Sequence, residues 1–328
     1  MSNVAFKRTL ITLTAVSCVT LGASDADAAT GASTGALGGG VVTVGSVGTN
    51  QIDGTADFSI DAGDTLVILG TDPVSGGGNT FGHKITFADG ATIQLDNDLT
   101  VNGDGTDAID ILGAATIYTN TGDLTLNDRV NNSGDPVSLV KTGAGTLTLE
   151  NNTANFFPNN PAAPPNLGVD APEFDFQEGT IVNDIHSATN PNNHFRIGDN
   201  TSLVGGGVIL KTSLPTPLST LEVGNNNTIA LSVIATDLIM GDSNSIGDWM
   251  FVRGIDGLTG SMGDNNIMDA DIGVVTRDNY EFTLGEGNNF KQGAFFLAIS
   301  TSEETIRTCI HAVIRLNIII ECAIMTIF

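Results

Sequence analysis

Cysteine is almost absent from this chain. Its three cysteines are Cys18, Cys309 and Cys322, so nothing between Ala29 and Ser300 carries a thiol. A disulfide framework is therefore excluded for that stretch, and a thiol-free chain suits export across two membranes in an unfolded state. Basic residues are also scarce. Twelve Lys and Arg stand against 37 Asp and Glu, a formal net charge of −25. That balance argues against a nucleic-acid partner, which would want clustered cations, and against electrostatic docking on anionic membranes. Aromatics make up only 5% of residues, and no segment before Thr301 sustains a helical period. No Gly-x-Ser-x-Gly, phosphate loop, dinucleotide fingerprint or His-Glu-x-x-His is present, so no catalytic residue, cofactor or metal is expected.

What is abundant is glycine, at 40 residues, and it recurs in one setting. Ile197-Gly198-Asp199-Asn200 returns as Val223-Gly224-Asn225-Asn226 and as Met240-Gly241-Asp242-Ser243-Asn244. Met262-Gly263-Asp264-Asn265-Asn266 and Leu284-Gly285-Glu286-Gly287-Asn288-Asn289 continue the series. The glycines lie 26, 17, 22 and 22 residues apart, a period that marks a solenoid whose coils stack. Gly and Asn suit the positive-φ positions of tight turns. Alternating segments such as Ala91-Thr92-Ile93-Gln94-Leu95 and Thr146-Leu147-Thr148-Leu149 read as half-buried strands. The fold class is all-β, a parallel β-helix. Its stacked turns place Asn above Asn about 4.8 Å apart, a spacing that permits hydrogen-bonded ladders. The period of two predicts inward side chains at Leu124, Leu126, Leu147, Leu149, Ile181, Ile209, Ile229, Leu231, Ile239 and Ile267.

Five regions follow from composition. Residues 1–28 read as a signal peptide: Lys7-Arg8, an apolar stretch from Thr9 to Gly22, then Ala26-Asp27-Ala28 before a mature start at Ala29. Cys18 offers a weaker lipoprotein alternative, because Ala15 stands where that motif favours Leu. Residues 29–155 are the N-terminal coils. Residues 156–172 hold Pro158, Pro161, Pro164, Pro165 and Pro172 and read as a loop leaving the scaffold. Residues 173–300 are the Asn/Gly coils. Residues 301–328 lose the turns and gain Cys309, Cys322 and an Ile-rich run, so they are expected to stand apart from the solenoid as a frameshifted or truncated tail.

Leu139-Val140-Lys141-Thr142-Gly143-Ala144-Gly145-Thr146-Leu147-Thr148-Leu149, followed by Glu150-Asn151-Asn152, resembles the autotransporter-associated β-strand repeat. The landmarks are Lys141, Gly143, Gly145 and Leu147. The resemblance covers about a dozen residues, and it implies a bacterial autotransporter passenger of the surface-antigen or adhesin type. Such passengers are right-handed parallel β-helices displayed outside the outer membrane, and their expected partners are host-cell or cell-surface ligands. The family continues into a translocator barrel, for which this chain has no matching segment. Export followed by surface display is expected for a full-length relative, and periplasmic residence for this product.

Other candidate chemistry is thin. Asn102-Gly103-Asp104-Gly105-Thr106-Asp107 resembles a calcium loop, yet its Gly is displaced and the twelfth-position Glu is missing, so a turn is expected. Asp264-Asn265-Asn266 and Asp269-x-Asp271 lack the nonapeptide spacing of calcium-binding rolls. His186 and His194, with Asp184 nearby, lack paired ligand spacing. The expected function is a structural or adhesive scaffold without catalysis. The alternative is a β-helical polysaccharide-active enzyme of lyase or esterase type, which would need cations beside a carboxylate cluster on one face. Its raw material between residues 29 and 300 is Lys84, Arg129, Lys141, Arg196, Lys211, Arg253, Arg277 and Lys291.

Overall fold

The computed structural model describes residues 40–45, 50–76, 78–132, 138–150, 156–158, 174–182, 185–187, 194–210, 220–235, 237–254, 259–277, 281–291, 293–299 and 320–322. Every regular element among them is a strand, two to seven residues long. The chain circulates through three parallel sheets. Sheet I has eleven strands, from Val41–Val44 to Glu281–Leu284. Sheet II has ten, from Thr80–Phe81 to Asn289–Phe290. Sheet III has twelve, from Phe58–Ile60 to Ile320–Cys322. From Thr65 to Ile299 each circuit contributes one strand to each sheet, and successive circuits pair, as when Leu99, Leu124 and Leu147 stack in line. This is the expected parallel β-solenoid.

Two- to seven-residue strands cannot be stable alone, so the core is shared along the whole stack. It is a column of alternate residues, Leu66, Ile93 and Ile117 in sheet I, and Leu124, Leu147, Ile181 and Leu203 in sheet II, all essentially inaccessible. Each such side chain contributes roughly 1.5–3 kcal/mol relative to exposure.

The predicted inward set divides. Leu124, Leu126, Leu147, Leu149, Ile181 and Ile229 are buried, whereas Leu231, Ile239 and Ile267 are each 42% exposed. The reason is the turn. Counting from the repeat glycine, the fifth residue after it is the one that enters: Leu203, Ile229, Ile246 and Met268 are buried. Ile267, one residue early, faces out. In Leu238-Ile239-Met240 the neighbours of Ile239 take both inward places. Ile209 stands in strand Val208–Leu210, and its side chain lies outside the described set.

Two boundaries also move. Phe156–Pro158, assigned above to the Pro-rich loop, is a strand of sheet III opposite Val130, Asn131 and Asn132. Pro158 closes that strand, where a missing N–H disturbs the ladder least. Ile320–Cys322 pairs in parallel with Ala294, Phe295 and Phe296, so these three residues extend sheet III where a separate tail was expected. The rest of the Pro-rich segment, residues 1–39 with the signal and Cys18, and the remainder of 301–328 lie outside the described residues.

Candidate functional site

The Asn/Gly turns have a common four-residue plan: Gly, an acid or Asn, a left-handed residue, then Asn or Thr. The third position holds Asn200, Asn226, Ser243 and Asn265 at φ between 58° and 60°, and Gly287 at 70°. At the first position a side chain has no room. A Cβ on Gly241 would come within 2.4 Å of Asn225 Oδ1 and 2.9 Å of the Gly224 carbonyl oxygen, and its equivalents on Gly224, Gly263 and Gly285 meet the coil beneath in the same way. At the second position Asp199, Asn225, Asp242 and Asp264 each accept, through Oδ1, the backbone N–H of the equivalent residue one coil later, at 2.6–2.7 Å. At the fourth, the Oδ1 of Asn244, Asn266 and Asn288 accepts the N–H of Asn227, Asn244 and Asn266 at 2.9, 2.8 and 2.7 Å. Their Nδ2 groups donate to two Gly carbonyls, one on their own coil and one on the coil before. The expected Asn ladder is present, with side chains bonded to backbone instead of amide stacked on amide. Asp264-Asn265-Asn266 thus holds ladder rungs.

Lys141 gives the second site. Alternation puts it on the Leu139 face, and its side chain is completely buried. Its ammonium donates to the carbonyl oxygens of Gly143 at 2.7 Å, Gly145 at 2.9 Å and, one coil later, Glu178 at 2.6 Å. A Cβ on Gly179, which stands at φ +93°, would lie 2.3 Å from Nζ. The Glu178 carboxylate closes the arrangement by accepting the Gly143 N–H and the Thr142 hydroxyl. Burial lowers the Lys141 pKa to about 8, partly opposed by the charges of Glu178 and Asp123. The Lys-x-Gly-x-Gly spacing is therefore a coil-closing cap, in which one cation gathers turn carbonyls from two successive coils.

Lys84 and Arg129 meet carboxylates on the flank between sheets II and III. A register shift at Arg129/Val130 sets Asp107 opposite Arg129, whose guanidinium donates to Asp107 Oδ1 at 2.9 Å and to the Thr106 carbonyl oxygen. Lys84 Nζ lies 3.4 Å from Asp104 Oδ2. Asp104 Oδ1 accepts the N–H groups of Thr106 and Asp107, each at 2.9 Å, and Asp128 accepts that of Gly105 at 3.0 Å. The 102–107 loop is the expected turn, its carboxylates occupied by its own backbone. The Asp107 N–H bond, helped by those of Thr106 and Lys84, holds the Asp104 carboxyl below its ordinary range, and burial pushes that of Asp107 up against the pull of Arg129.

The remaining candidates are dispersed. Arg196 pairs with Asp175 at 3.3 Å and Lys291 with Asp269. His194, in sheet I, is buried 3.0 Å from Glu222 Oε1 without the alignment of a hydrogen bond. His186 belongs to strand Ile185–Ser187 of sheet III, so the two histidines stand on different sheets. Arg253 and Arg277 end strands of sheet III, Asp271 begins one, and Lys211 and Asp184 lie outside the described residues. Among the described residues no group of three or more His, Cys, Asp or Glu is placed to hold a metal ion. In comparisons with known proteins, no protein-family model, curated protein or solved structure matches the chain.

Proposed function

We propose that this chain is an exported structural or adhesive scaffold of the autotransporter-passenger kind, which acts through its long lateral surface on host-cell or cell-surface ligands. The observation that carries this reading is the Lys141 cap. The landmarks that resemble the autotransporter repeat each have a task in closing a coil: the ammonium binds three carbonyls, Gly143 adopts φ +86°, and Leu147 fills the core. Such a motif builds a stack and leaves the surface free to vary. Export rests on residues 1–28, with Lys7-Arg8, the apolar stretch and Ala26-Asp27-Ala28.

Protease shaving and biotinylation of intact native cells, with fractionation in parallel, test the proposal. Recovery from the envelope or the medium, lost when residues 1–28 are removed, supports it, and a cytoplasmic pool unaffected by that removal overturns it.

One observation favours the polysaccharide-active alternative: Lys84 and Arg129 do stand beside Asp104 and Asp107 on one flank. Both cations are already neutralised by those carboxylates, which leaves a weak attraction for an acidic sugar. Incubation with polyuronates, followed by the absorbance of unsaturated product, separates the two readings. Turnover that disappears in Arg129→Ala would establish the enzyme.

A further inference from the structure

Three exposed apolar side chains follow one corner of the stack. Val204, Leu231 and Trp249 stand on three successive coils where the chain passes from sheet II to sheet III. Trp249 is the only tryptophan in the chain and is 40% exposed. Coils are in place on both sides of it, at Val233–Ala235 and Asp271–Arg277, so this is exposure on the lateral surface and not at an end. The fold has no need of an indole here. Met250 pairs with Val233 and Ile272, so the register puts Ser232 and Asp271 at the places equivalent to Trp249. A large ring that the coil does not require, held in water, points to a contact outside the chain.

The surroundings of Trp249 are aromatic and acidic. Phe251, two residues on and also outward, meets it edge to face with centroids 6.2 Å apart and planes at 65°. A Cβ on Gly273, opposite Phe251 on the next coil, would lie 3.1 Å from Phe251 Cδ2, so the Phe251 ring takes the space of a side chain there. Asp248 adjoins Trp249 and is fixed by the Ser232 hydroxyl, which donates to its Oδ2 at 3.0 Å. Asp271 is exposed on the next coil. Among the described residues neither carboxylate is paired with a cation. Arg253, outward beyond Phe251, bounds the acidic end of this surface.

We infer that the Trp249 corner binds an arginine side chain of a partner polypeptide. The ring faces attract a cation through their quadrupole, and the two unpaired carboxylates and the net charge of −25 add to the attraction. A guanidinium suits the corner better than an ammonium does, because it is planar, stacks on an indole and forks onto a carboxylate. The inference rests on the adhesive reading above and names the chemistry of its ligand.

The test uses the purified full chain and the peptide acetyl-Gly-Leu-Arg-Leu-Gly-amide, beside the same peptide with Lys or Gln in place of Arg. Calorimetry measures affinity, and the emission of the single tryptophan reports contact at the corner itself. Trp249→Ser and Phe251→Ile take the residues of equivalent places, Ser232 and Ile234, so the fold is retained, which melting curves check. Saturable binding of the Arg peptide with a change in Trp249 emission is expected, weakened about threefold to thirtyfold by Trp249→Ser and about twofold to fivefold by Asp271→Asn. No binding, binding that Trp249→Ser leaves unchanged, or a Lys or Gln peptide bound as tightly as the Arg peptide overturns the inference. Maltohexaose that shifts Trp249 emission where the Arg peptide does not would assign the corner to sugars and overturn it as well. None of these results bears on export, which shaving and fractionation of cells decide separately.

Discussion

Asn266 accepts the backbone N–H of Asn244 through its side-chain oxygen at 2.8 Å while its amide nitrogen donates to the carbonyls of Gly241 and Gly263. One buried side chain thus bonds three backbone groups on two coils, the N–H of buried Asn244 among them. Replacement by Ala leaves the Asn244 N–H unpaired, while the Gly241 and Gly263 carbonyls keep the amide groups of Asn244 and Asn288, and should cost about 1–3 kcal/mol. Asn266→Asp should be worse near neutrality, because a carboxylate would face two carbonyl oxygens with no proton to share. Protonation restores a donor, so the gap between Asn266→Asp and wild type should narrow as pH falls. Urea midpoints of wild type and both variants across pH 4–8 check this, and a wild-type-like Asn266→Asp at pH 7 would contradict the buried ladder.

Gly241 and Gly63 separate two reasons for glycine. Gly63 stands at φ +75° with open space around its Cβ direction, so Gly63→Ala should lose only about 1–2 kcal/mol of backbone strain. Gly241→Ala drives a methyl into Asn225 Oδ1 and the Gly224 backbone. It should cost at least as much, about 1–3 kcal/mol, and should also break the Asn225–Asp242 bond of 2.7 Å. Hydrogen exchange resolves the two: slowed protection should be lost at coils on both sides of Gly241, and only locally at Gly63.

The buried ammonium of Lys141 makes a pH-dependent contribution whose sign is fixed. Its pKa is about 8 when folded and about 10.4 when unfolded, so between these values the unfolded chain binds more protons. Stability attributable to this group is lowest below pH 8, rises through the interval and levels off above it. Lys141→Met deletes the titration and takes the ammonium from three carbonyl oxygens, of which Gly143 and Gly145 keep only the longer bonds from the Thr119 hydroxyl and the Thr180 N–H, a loss of about 1–3 kcal/mol at pH 7. The difference in unfolding free energy between wild type and Lys141→Met should therefore widen in favour of wild type from pH 8 to pH 10. A constant difference would mean that the ammonium is solvated.

Glycine was the most legible residue in the sequence because sterics tie it to one place. A residue that must pass within bond-like distances of the coil beneath has no substitute, so its spacing reports the coil directly. Strand parity was less legible. Leu238-Ile239-Met240 and Ile267-Met268 offer consecutive apolar residues, and hydrophobicity alone cannot say which face is inward. The turn resolves it, since the fifth residue after the glycine is always inward, a rule that Ile229 and Ile246 already obeyed. Lys141 was hidden by its type, because lysine is ordinarily exposed, although its parity with Leu139 pointed inside. The Asp107–Arg129 pair depends on a bulge that no composition or period announces.

Ile239 and Leu238 test that parity most sharply, since they are adjacent, both aliphatic and chemically alike. Leu238 is fully buried in sheet I opposite Leu221, and Ile239 is 42% exposed opposite Glu222 and Ser261. Leu238→Lys must either bury an ammonium without the carbonyl cage that Lys141 enjoys or open the coil. It should fail to fold cooperatively or lose more than about 3 kcal/mol. Ile239→Lys places its charge in water beside Glu222, where a cross-strand pair is worth a few tenths of a kcal/mol, and should leave the melting temperature within about 2 °C of wild type. Thermal unfolding of the two variants, compared with Leu238→Ala as a smaller perturbation of about 2–5 kcal/mol, gives the order Ile239→Lys, Leu238→Ala, Leu238→Lys. Equal damage from Ile239→Lys and Leu238→Lys would mean that the outward face of sheet I at this coil is covered by another part of the chain or by a partner.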